Sequence, residues 1–378
     1  MKLAILKERR PGEARVAATP ESVKKLKTLG LDIFVETGAG AAARISDKDF
    51  EAAGAVVAPD AGQMLSDADI VLCVRGPGDA DTAKMKKGAV LACLLAPHSE
   101  KDAITRLAAQ GVTAFAMEFS PRISRAQAMD VLSSQANLAG YKAVIDAAAT
   151  FGRAMPMMMT AAGTIAPARV FIMGVGVAGL QAIATARRLG AIVTATDVRP
   201  ATKEQVVSLG ASFVAVEDEE FKQAETAAGY AKPMSAEYQA KQAALVAEHI
   251  RKQDIVITTA LIPGRKAPVL VTEEMVKTMK PGSVIVDLAA EQGGNCPLTV
   301  ADQVVETHGV TIMGYTNLPS RLATDTSSLY ARNLFNFVSL IVDKKTGALA
   351  LDWDDEIVKG AGLTKNGQIV HPSLKAQG

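Results

Sequence analysis

The sequence has few of the residues that build metal sites and disulfide frameworks. Among 378 residues there are three cysteines, four histidines and one tryptophan. The cysteines Cys73, Cys93 and Cys296 are widely spaced, which excludes a disulfide framework and a zinc-site spacing. Each of them is better suited to fill an apolar core or a site wall than to do chemistry. The histidines are scattered along the chain, so we expect no metal site: His98, His249, His308 and His371.

An excess of charge of one sign and long hydrophobic runs are also missing. Lys and Arg number 41 against 40 Asp and Glu, which gives no electrostatic basis for binding nucleic acid. No apolar run is long enough to span a membrane, so we expect no transmembrane segment of the chain's own. The N-terminus predicts a strand and a charged loop instead of a signal peptide. These features indicate a soluble, cytoplasmic protein.

Short apolar runs alternate with helical patterns along most of the chain. This alternation predicts βαβ units, and we expect an α/β fold with two Rossmann-like, doubly wound parallel-sheet domains, separated by a cleft and joined by long helices. The strands are predicted at 3–6, 33–36, 70–74, 90–95, 112–117, 170–173, 191–196, 212–216, 254–259, 283–288 and 310–313. A terminal helix over 327–342 would return to the first lobe. We therefore predict a discontinuous domain of residues 1–125 with 325–378, and a second domain of residues 126–324.

A glycine motif lies at the centre of the second domain. Gly174, Gly176 and Gly179 follow a short apolar strand in G-x-G-x-x-G spacing, and a helical stretch and a second strand come next. Asp197 ends that second strand, about twenty residues past the glycines, where a dinucleotide-binding motif places an acid. The glycines permit the tight turn, the approach of a pyrophosphate and close helix–strand packing. We expect the phosphates to bind at the helix N-terminus.

These elements predict an NAD(H) site. A carboxylate at Asp197 can accept both hydroxyls of an adenosine ribose and would repel a 2′-phosphate, whereas Arg199 weakens that preference for NAD(H) over NADP(H). The end of the strand at 254–259 would flank the nicotinamide ribose. The predicted cofactor-binding residues are Gly174, Val175, Gly176, Val177, Ala178, Gly179, Asp197, Val198, Arg199, Thr259, Ala260 and Leu261.

Three further segments each allow a structural or a functional interpretation. Residues 124–152 predict one long helix that links the lobes. The methionine-rich segment 156–167 predicts a hairpin that packs on another surface, such as a second subunit. The polar segment 217–237 is either a solvated insertion or a mobile flap over the cofactor with Tyr230 at its tip.

The start of the linking helix offers polar groups to the cleft, where the nicotinamide ring should lie. Gln127 and Asp130 are three residues apart and share a helix face, with Arg122 before them and Ser133 after them. Such a face can hydrogen-bond a carboxamide-bearing ring, although an ordinary solvated first turn would look the same. The sequence shows no Ser-His-Asp or Cys-His arrangement. This fits direct hydride transfer, which requires alignment of donor and acceptor.

Several long motifs resemble the NAD(H)-binding component of proton-translocating nicotinamide nucleotide transhydrogenase. They cover essentially the whole chain: KERRPGEARVAATP (7–20), PRISRAQAMDVLSSQANLAGY (121–141), GVGVAGLQAIATA (174–186), ATDVRPATKEQ (195–205), TTALIPG (258–264) and MKPGSVIVDLA (279–289). Alanine dehydrogenases share the same architecture. The alternatives are therefore an alanine-type amino-acid dehydrogenase and a non-catalytic NAD(H)-sensing module.

The resemblance implies roles that the residues alone do not establish. It places Arg122, Gln127, Asp130 and Ser133 by the nicotinamide ring as catalytic residues, and Tyr230 in a loop that closes over NAD(H). It implies a homodimer that exchanges hairpins, and hydride transfer of the Si-face/Re-face specific type to NADP(H) on a partner component. Both components would sit on membrane subunits that move protons, at the inner face of the membrane.

Two positions depart from the dehydrogenase pattern. Alanine dehydrogenases place a lysine where this chain has Arg75, and a histidine where it has Ala96. His98 lies two residues later, which shifts it by roughly 7 Å along a strand. Without an imidazole to protonate a carbonyl oxygen, deamination is disfavoured. Arg15 matches an arginine that binds the substrate carboxylate, but both families carry it.

Overall fold

The computed structural model describes residues 1–223, 234–262 and 264–375. Its contacts divide the chain into two compact units. The first comprises Met1–Gln135 with Pro319–Gly378, and the second comprises Ala136–Leu318. The first unit is therefore discontinuous in sequence, and the divisions fall at 135/136 and 318/319, against the 125/126 and 324/325 proposed from the sequence.

The first unit contains a parallel sheet of six strands among the residues described, in the order β3-β2-β1-β4-β5-β6. The order reverses between β1 and β4, so the sheet is doubly wound around that switch point. The strands are β1 (Lys2–Ile5), β2 (Asp32–Glu36), β3 (Val56–Ala58), β4 (Ile70–Arg75), β5 (Val90–Leu94) and β6 (Thr113–Ala116).

The second unit contains a two-stranded hairpin and a seven-stranded sheet in its described residues. The sheet has the order β11-β10-β9-β12-β13-β15-β14, and only the β14–β15 pair within it is antiparallel. The hairpin is β7 (Met158–Thr160) with β8 (Gly163–Ile165). The other strands are β9 (Arg169–Met173), β10 (Ile192–Thr196), β11 (Ser212–Phe213), β12 (Ile255–Thr258), β13 (Val284–Asp287), β14 (Val304–Thr307) and β15 (Val310–Met313).

Helices connect the strands of both units. They are α1 (Pro20–Lys27), α2 (Asp47–Ala52), α3 (Ala61–Asp67), α4 (Asp79–Thr82), α5 (Lys101–Ala109), α6 (Val131–Thr150), α7 (Val177–Arg188), α8 (Thr202–Ser208), α9 (Glu219–Lys222), α10 (Ala236–Ile250), α11 (Glu273–Thr278), α12 (Ala323–Ile341) and α13 (Glu356–Ala361). A short antiparallel pair, β16 (Thr364–Lys365) with β17 (Gln368–Ile369), follows. Among the described residues no helix has the length and apolar character needed to cross a membrane.

The central strands are apolar on both faces because both faces are covered. In β9, Val170 and Ile172 belong to one core cluster, and Phe171 and Met173 belong to the cluster on the opposite face. Successive side chains of a strand point to opposite faces, so a strand between two helical layers is apolar throughout. This explains why the strand appears in the sequence as an uninterrupted apolar run.

The predicted α/β class with parallel sheets is confirmed, and two details differ. The short edge strands β3 and β14 were not predicted, because each has three or four residues without a distinctive pattern. The single helix predicted over 124–152 is wrong at its start. Residues Ser124–Met129 form a 3-10 turn, and α6 begins only after Asp130. The backbone of Asp130 has φ −73° and ψ 89°, which interrupts helical geometry.

Candidate functional site

The glycine turn follows β9 directly and leads into α7. Gly174 has φ +102°, a conformation that L-residues rarely adopt, and a Cβ atom there would lie 2.5 Å from Oγ1 of Thr259. A Cβ atom on Gly179 would lie 2.0 Å from the carbonyl oxygen of Gly174. Both glycines are therefore required by packing within the turn.

Gly176 differs from the other two glycines because the space around it is open. A Cβ atom built there would meet nothing within 4 Å. Gly176 is also the N-cap residue of α7, and no described side chain caps this helix through a hydrogen bond. The first N–H groups of a helix need acceptors, and the positive end of the helix dipole favours an anion. The turn thus fits the pyrophosphate of a dinucleotide.

Asp197 stands immediately after β10, beside the turn. Its Oδ2 accepts a hydrogen bond from the N–H of Val175 at 2.7 Å. Its two oxygens also accept bonds from Nε (2.9 Å) and Nη2 (3.0 Å) of Arg199, and Nη2 donates to the carbonyl of Val175 at 3.2 Å. The carboxylate is therefore held against the turn, with a guanidinium paired to it.

Gly140 on α6 supports the turn from behind, and the sequence did not indicate this role. A Cβ atom at Gly140 would lie 2.0 Å from the carbonyl oxygen of Ala178, in the first turn of α7. The two helices can approach this closely only because position 140 lacks a side chain. An internal helix glycine was visible in the sequence, but its contact is far away along the chain.

The end of β12 lies against the same turn. The N–H of Thr259 donates to the carbonyl of Met173 at 2.9 Å, and its Oγ1 donates to the carbonyl of Gly174 at 3.0 Å. Ala260 follows, and Leu261 exposes 48 % of its surface. Val177 and Val198 are also unusually exposed for valines, at 38 % and 55 %. These apolar side chains can cover the rings of a nucleotide.

The predicted nicotinamide-side residues belong to the first unit, at the start of α6. Asp130 caps the helix: its Oδ1 accepts from the N–H of Ser133 at 2.9 Å, and its Oδ2 accepts from Oγ of Ser133 at 2.6 Å. Arg122 and Gln127 are exposed nearby in the chain. The structure thus pairs Asp130 with Ser133, and the cap accounts for their local geometry. Tyr230, the remaining predicted residue, lies outside the described residues.

The position equivalent to a dehydrogenase substrate arginine is occupied internally. Arg15 is 2 % exposed, and its guanidinium forms a fork with the Glu13 carboxylate at 2.8 and 2.7 Å. Its third group donates to Oε1 of Gln135 at 2.7 Å. Nε of Arg75 lies 3.7 Å from the same glutamate. The charge of Arg15 is therefore balanced within the first unit.

A second buried carboxylate closes this part of the sheet. Glu8 follows β1, and its two oxygens accept from the N–H groups of Val74 (2.6 Å) and Arg75 (3.2 Å) at the end of β4. Burial raises the pKa of Glu8 from 4.5 to about 7, and the nearby charge of Glu13 raises it further, against the lowering effect of the backbone hydrogen bonds. The switch point of this sheet is thus filled by the chain's own loop.

Comparison with known proteins identifies the family. The model of the alanine dehydrogenase/PNT N-terminal domain matches residues 4–139, and that of the alanine dehydrogenase/PNT C-terminal domain matches residues 143–372. The chain belongs to the alanine dehydrogenase/PNT family. The resemblance stated from the sequence motifs is confirmed. The two matched models together span both units of the structure.

Individual members of the family differ in their similarity to this chain. The separately encoded first segment of the NAD(P) transhydrogenase alpha subunit of Rhodospirillum rubrum is 58 % identical over 100 % of both chains. A crystal structure of transhydrogenase from Sinorhizobium meliloti superposes with a TM-score of 0.90 at 56 % identity, covering 98 % of this chain and 100 % of that one. The alanine dehydrogenase of Halomonas elongata is 31 % identical over 96 % of this chain and 93 % of its own length. Similarity is therefore greater on the transhydrogenase side of the family.

Proposed function

We propose that this chain is the NAD(H)-binding component of a proton-translocating NAD(P) transhydrogenase. The observation that carries the proposal is the glycine turn, with open space at Gly176, an uncapped helix N-terminus and Asp197 held against the turn. Relatives whose names describe a transhydrogenase subunit support it. Hydride would pass directly between NADH on this chain and NADP⁺ on a partner component, with the face specificity stated above.

In this function the residues of the chain bind and orient. The N–H groups at the start of α7 would hold the pyrophosphate, and Asp197 would accept the adenosine ribose hydroxyls. Arg122, Gln127, Asp130 and Ser133 would orient the nicotinamide carboxamide, and Tyr230 would cover the bound nucleotide. The nicotinamide itself supplies the hydride. No acid or base is required of the protein, which fits a site built from alignment.

The proposal includes partners and a location. The chain would act at the cytoplasmic face of the membrane, bound to an NADP(H)-binding component and to membrane subunits that translocate protons. It would also form a homodimer through its hairpin. The described strands β7 and β8 are exposed at every residue, and Met159 exposes 77 % of its surface. An isolated two-stranded hairpin with apolar side chains is marginal in water unless another surface covers it.

A single assay tests the catalytic proposal. The chain is mixed with an NADP(H)-binding transhydrogenase component, and hydride transfer from NADH to an NADP⁺ analogue is followed by absorbance. We expect transfer that depends on both proteins. NADH oxidation on addition of pyruvate and ammonia, without transfer in the mixture, would favour an alanine dehydrogenase. NADH binding with neither reaction would leave a sensing module.

A further inference from the structure

The loop that follows β13 carries a side chain that fastens the loop after β12. Asn295 is fully buried. Its Oδ1 accepts a hydrogen bond from the N–H of Ala260 at 3.1 Å, and its Nδ2 donates to the carbonyl of Ala260 at 2.9 Å. One amide thus holds both polar groups of a single residue. A bidentate contact of this kind fixes the orientation of the backbone as well as its position.

The backbone of Asn295 is itself fixed by a buried carboxylate. Oδ2 of Asp287 accepts from the N–H groups of Asn295 (2.8 Å) and Cys296 (3.1 Å) and from Oγ1 of Thr299 (2.7 Å). Its Oδ1 accepts from the N–H of Ala289 at 2.9 Å and from Oγ1 of Thr258 at 3.2 Å. Asp287 has no exposed surface. Its oxygens are used inside the loop, so this carboxylate organises the protein and does not face a ligand.

These contacts connect the loop after β13 to the glycine turn. Asp287 holds Asn295, Asn295 holds Ala260, and the preceding Thr259 donates to the carbonyl of Gly174 at 3.0 Å. Leu261 comes next and is half exposed. The position of Leu261 relative to the turn therefore depends on the Asn295 amide. Ordering this loop before a ligand arrives removes an entropic cost from binding.

We infer that Asn295 is a positioning residue for the nucleotide site, which it preorganises by fixing Ala260 and thereby Leu261 beside the glycine turn. The inference rests on the proposed function, since it concerns the NADH that the turn would bind. It extends that function to a side chain that does not itself touch the nucleotide. Asn295 would influence NADH affinity through the backbone of its neighbour.

The test compares two substitutions around Asp287. Asn295→Ala removes both contacts with Ala260, whereas Thr299→Val removes one donor to Asp287 and leaves the Ala260 bracket in place. NADH affinity is measured by fluorescence titration of the full chain, and stability is measured by thermal unfolding without nucleotide. We expect Asn295→Ala to weaken NADH binding about tenfold. Thr299→Val should stay within about twofold of the wild type at a comparable loss of unfolding temperature.

Two results would overturn the inference while leaving the proposed function intact. One is a wild-type chain that binds NADH and an Asn295→Ala variant that binds it equally well. The other is a loss of affinity in both variants in proportion to their loss of stability, which indicates a structural role only. A wild-type chain with no affinity for NADH would instead overturn the proposed function, and this inference with it.

A measurement on the wild type covers the case in which Asn295→Ala does not fold. Amide hydrogen exchange is followed by NMR in the nucleotide-free chain. We expect slow exchange at Ala260, because its N–H is bonded to a buried side chain, although it lies in a loop. Exchange at Ala260 as fast as in an exposed loop would show that the bracket does not exist in solution, and the inference would fall.

Discussion

The guanidinium of Arg199 lies on the carboxylate of Asp197, with Nε 2.9 Å from Oδ1 and Nη2 3.0 Å from Oδ2. The acid expected to select NAD(H) is thus paired with a cation two residues away. The side chain of Asp197 is 7 % exposed and that of Arg199 is 32 % exposed. Asp197 therefore restrains a residue that could otherwise bind a 2′-phosphate, because arginine is the usual partner of that phosphate in NADP sites.

Removal of the acid should change nucleotide selectivity. In Asp197→Ala, Arg199 is released and the ribose loses its acceptor. We expect NADH binding to weaken about 10- to 100-fold, as hydrogen bonds to a charged group contribute about 1.5–3 kcal/mol. NADPH binding should strengthen in the same variant, and titration with both nucleotides checks this. The double variant Asp197→Ala/Arg199→Ala is the control and should not gain NADPH affinity. An equal gain in the double variant would show that Arg199 is not involved.

The glycines of the turn should separate folding from binding. Gly179→Ala places a Cβ atom 2.0 Å from the Gly174 carbonyl, so we expect a loss of about 1–3 kcal/mol in the free energy of unfolding. Gly176→Ala meets no atom within 4 Å and should change stability by no more than about 0.5 kcal/mol. It should nevertheless weaken NADH binding, because the methyl group enters the space of the pyrophosphate. Denaturant unfolding and NADH titration of both variants test this. Unimpaired binding in Gly176→Ala would contradict the placement of the phosphates.

The sequence predicted the parts of the site that depend on local order. The strand, turn, helix and acid of 169–197 are contiguous, so their spacing alone indicated the dinucleotide motif. Asn295 and Gly140 could not be recognised in this way. Each acts on a residue distant in the chain, Ala260 and Ala178, and only the fold brings them together.

Other features escaped prediction because two local preferences competed. The stretch 124–152 has a helical composition throughout, and nothing in its pattern marked the break at Asp130. That residue leaves helical geometry because its carboxylate satisfies the N–H of Ser133, as an N-cap does. The pairing of Asp197 with Arg199 was visible as a doubt about selectivity, but its geometry was not. Side-chain direction decides such contacts, and sequence spacing does not supply it.

The raised pKa of Glu8 predicts that the first unit loses stability as the pH rises. The folded state binds this proton more tightly than the unfolded state, so the contribution is complete below pH 4.5 and is lost as the pH passes about 7. The shift corresponds to at most about 3 kcal/mol. Urea unfolding followed by the fluorescence of the single tryptophan, Trp353, reports on this unit. We expect Glu8→Gln to flatten the pH profile between pH 5 and 8.

The control for this experiment is Glu51→Gln, which replaces an exposed glutamate on α2 of the same unit. Its pH profile should match that of the wild type. A profile for Glu8→Gln that also matches the wild type would show that another group carries the pH dependence.

Asp130 allows the cap and the proposed catalytic role to be distinguished. Asparagine is as good an N-cap residue as aspartate, so Asp130→Asn should keep the bond from the N–H of Ser133 and leave unfolding of the first unit unchanged. It removes the negative charge from the proposed nicotinamide site. We expect hydride transfer to the partner component to slow at least tenfold, equivalent to about 1.4 kcal/mol in the barrier, with a much smaller change in NADH affinity. The matched control is Asp60→Asn, which alters the cap of α3 in the same unit and should change neither quantity. Equal losses of transfer and of affinity in Asp130→Asn would mean that Asp130 only binds the nucleotide, and full activity would mean that its carboxylate serves the helix alone.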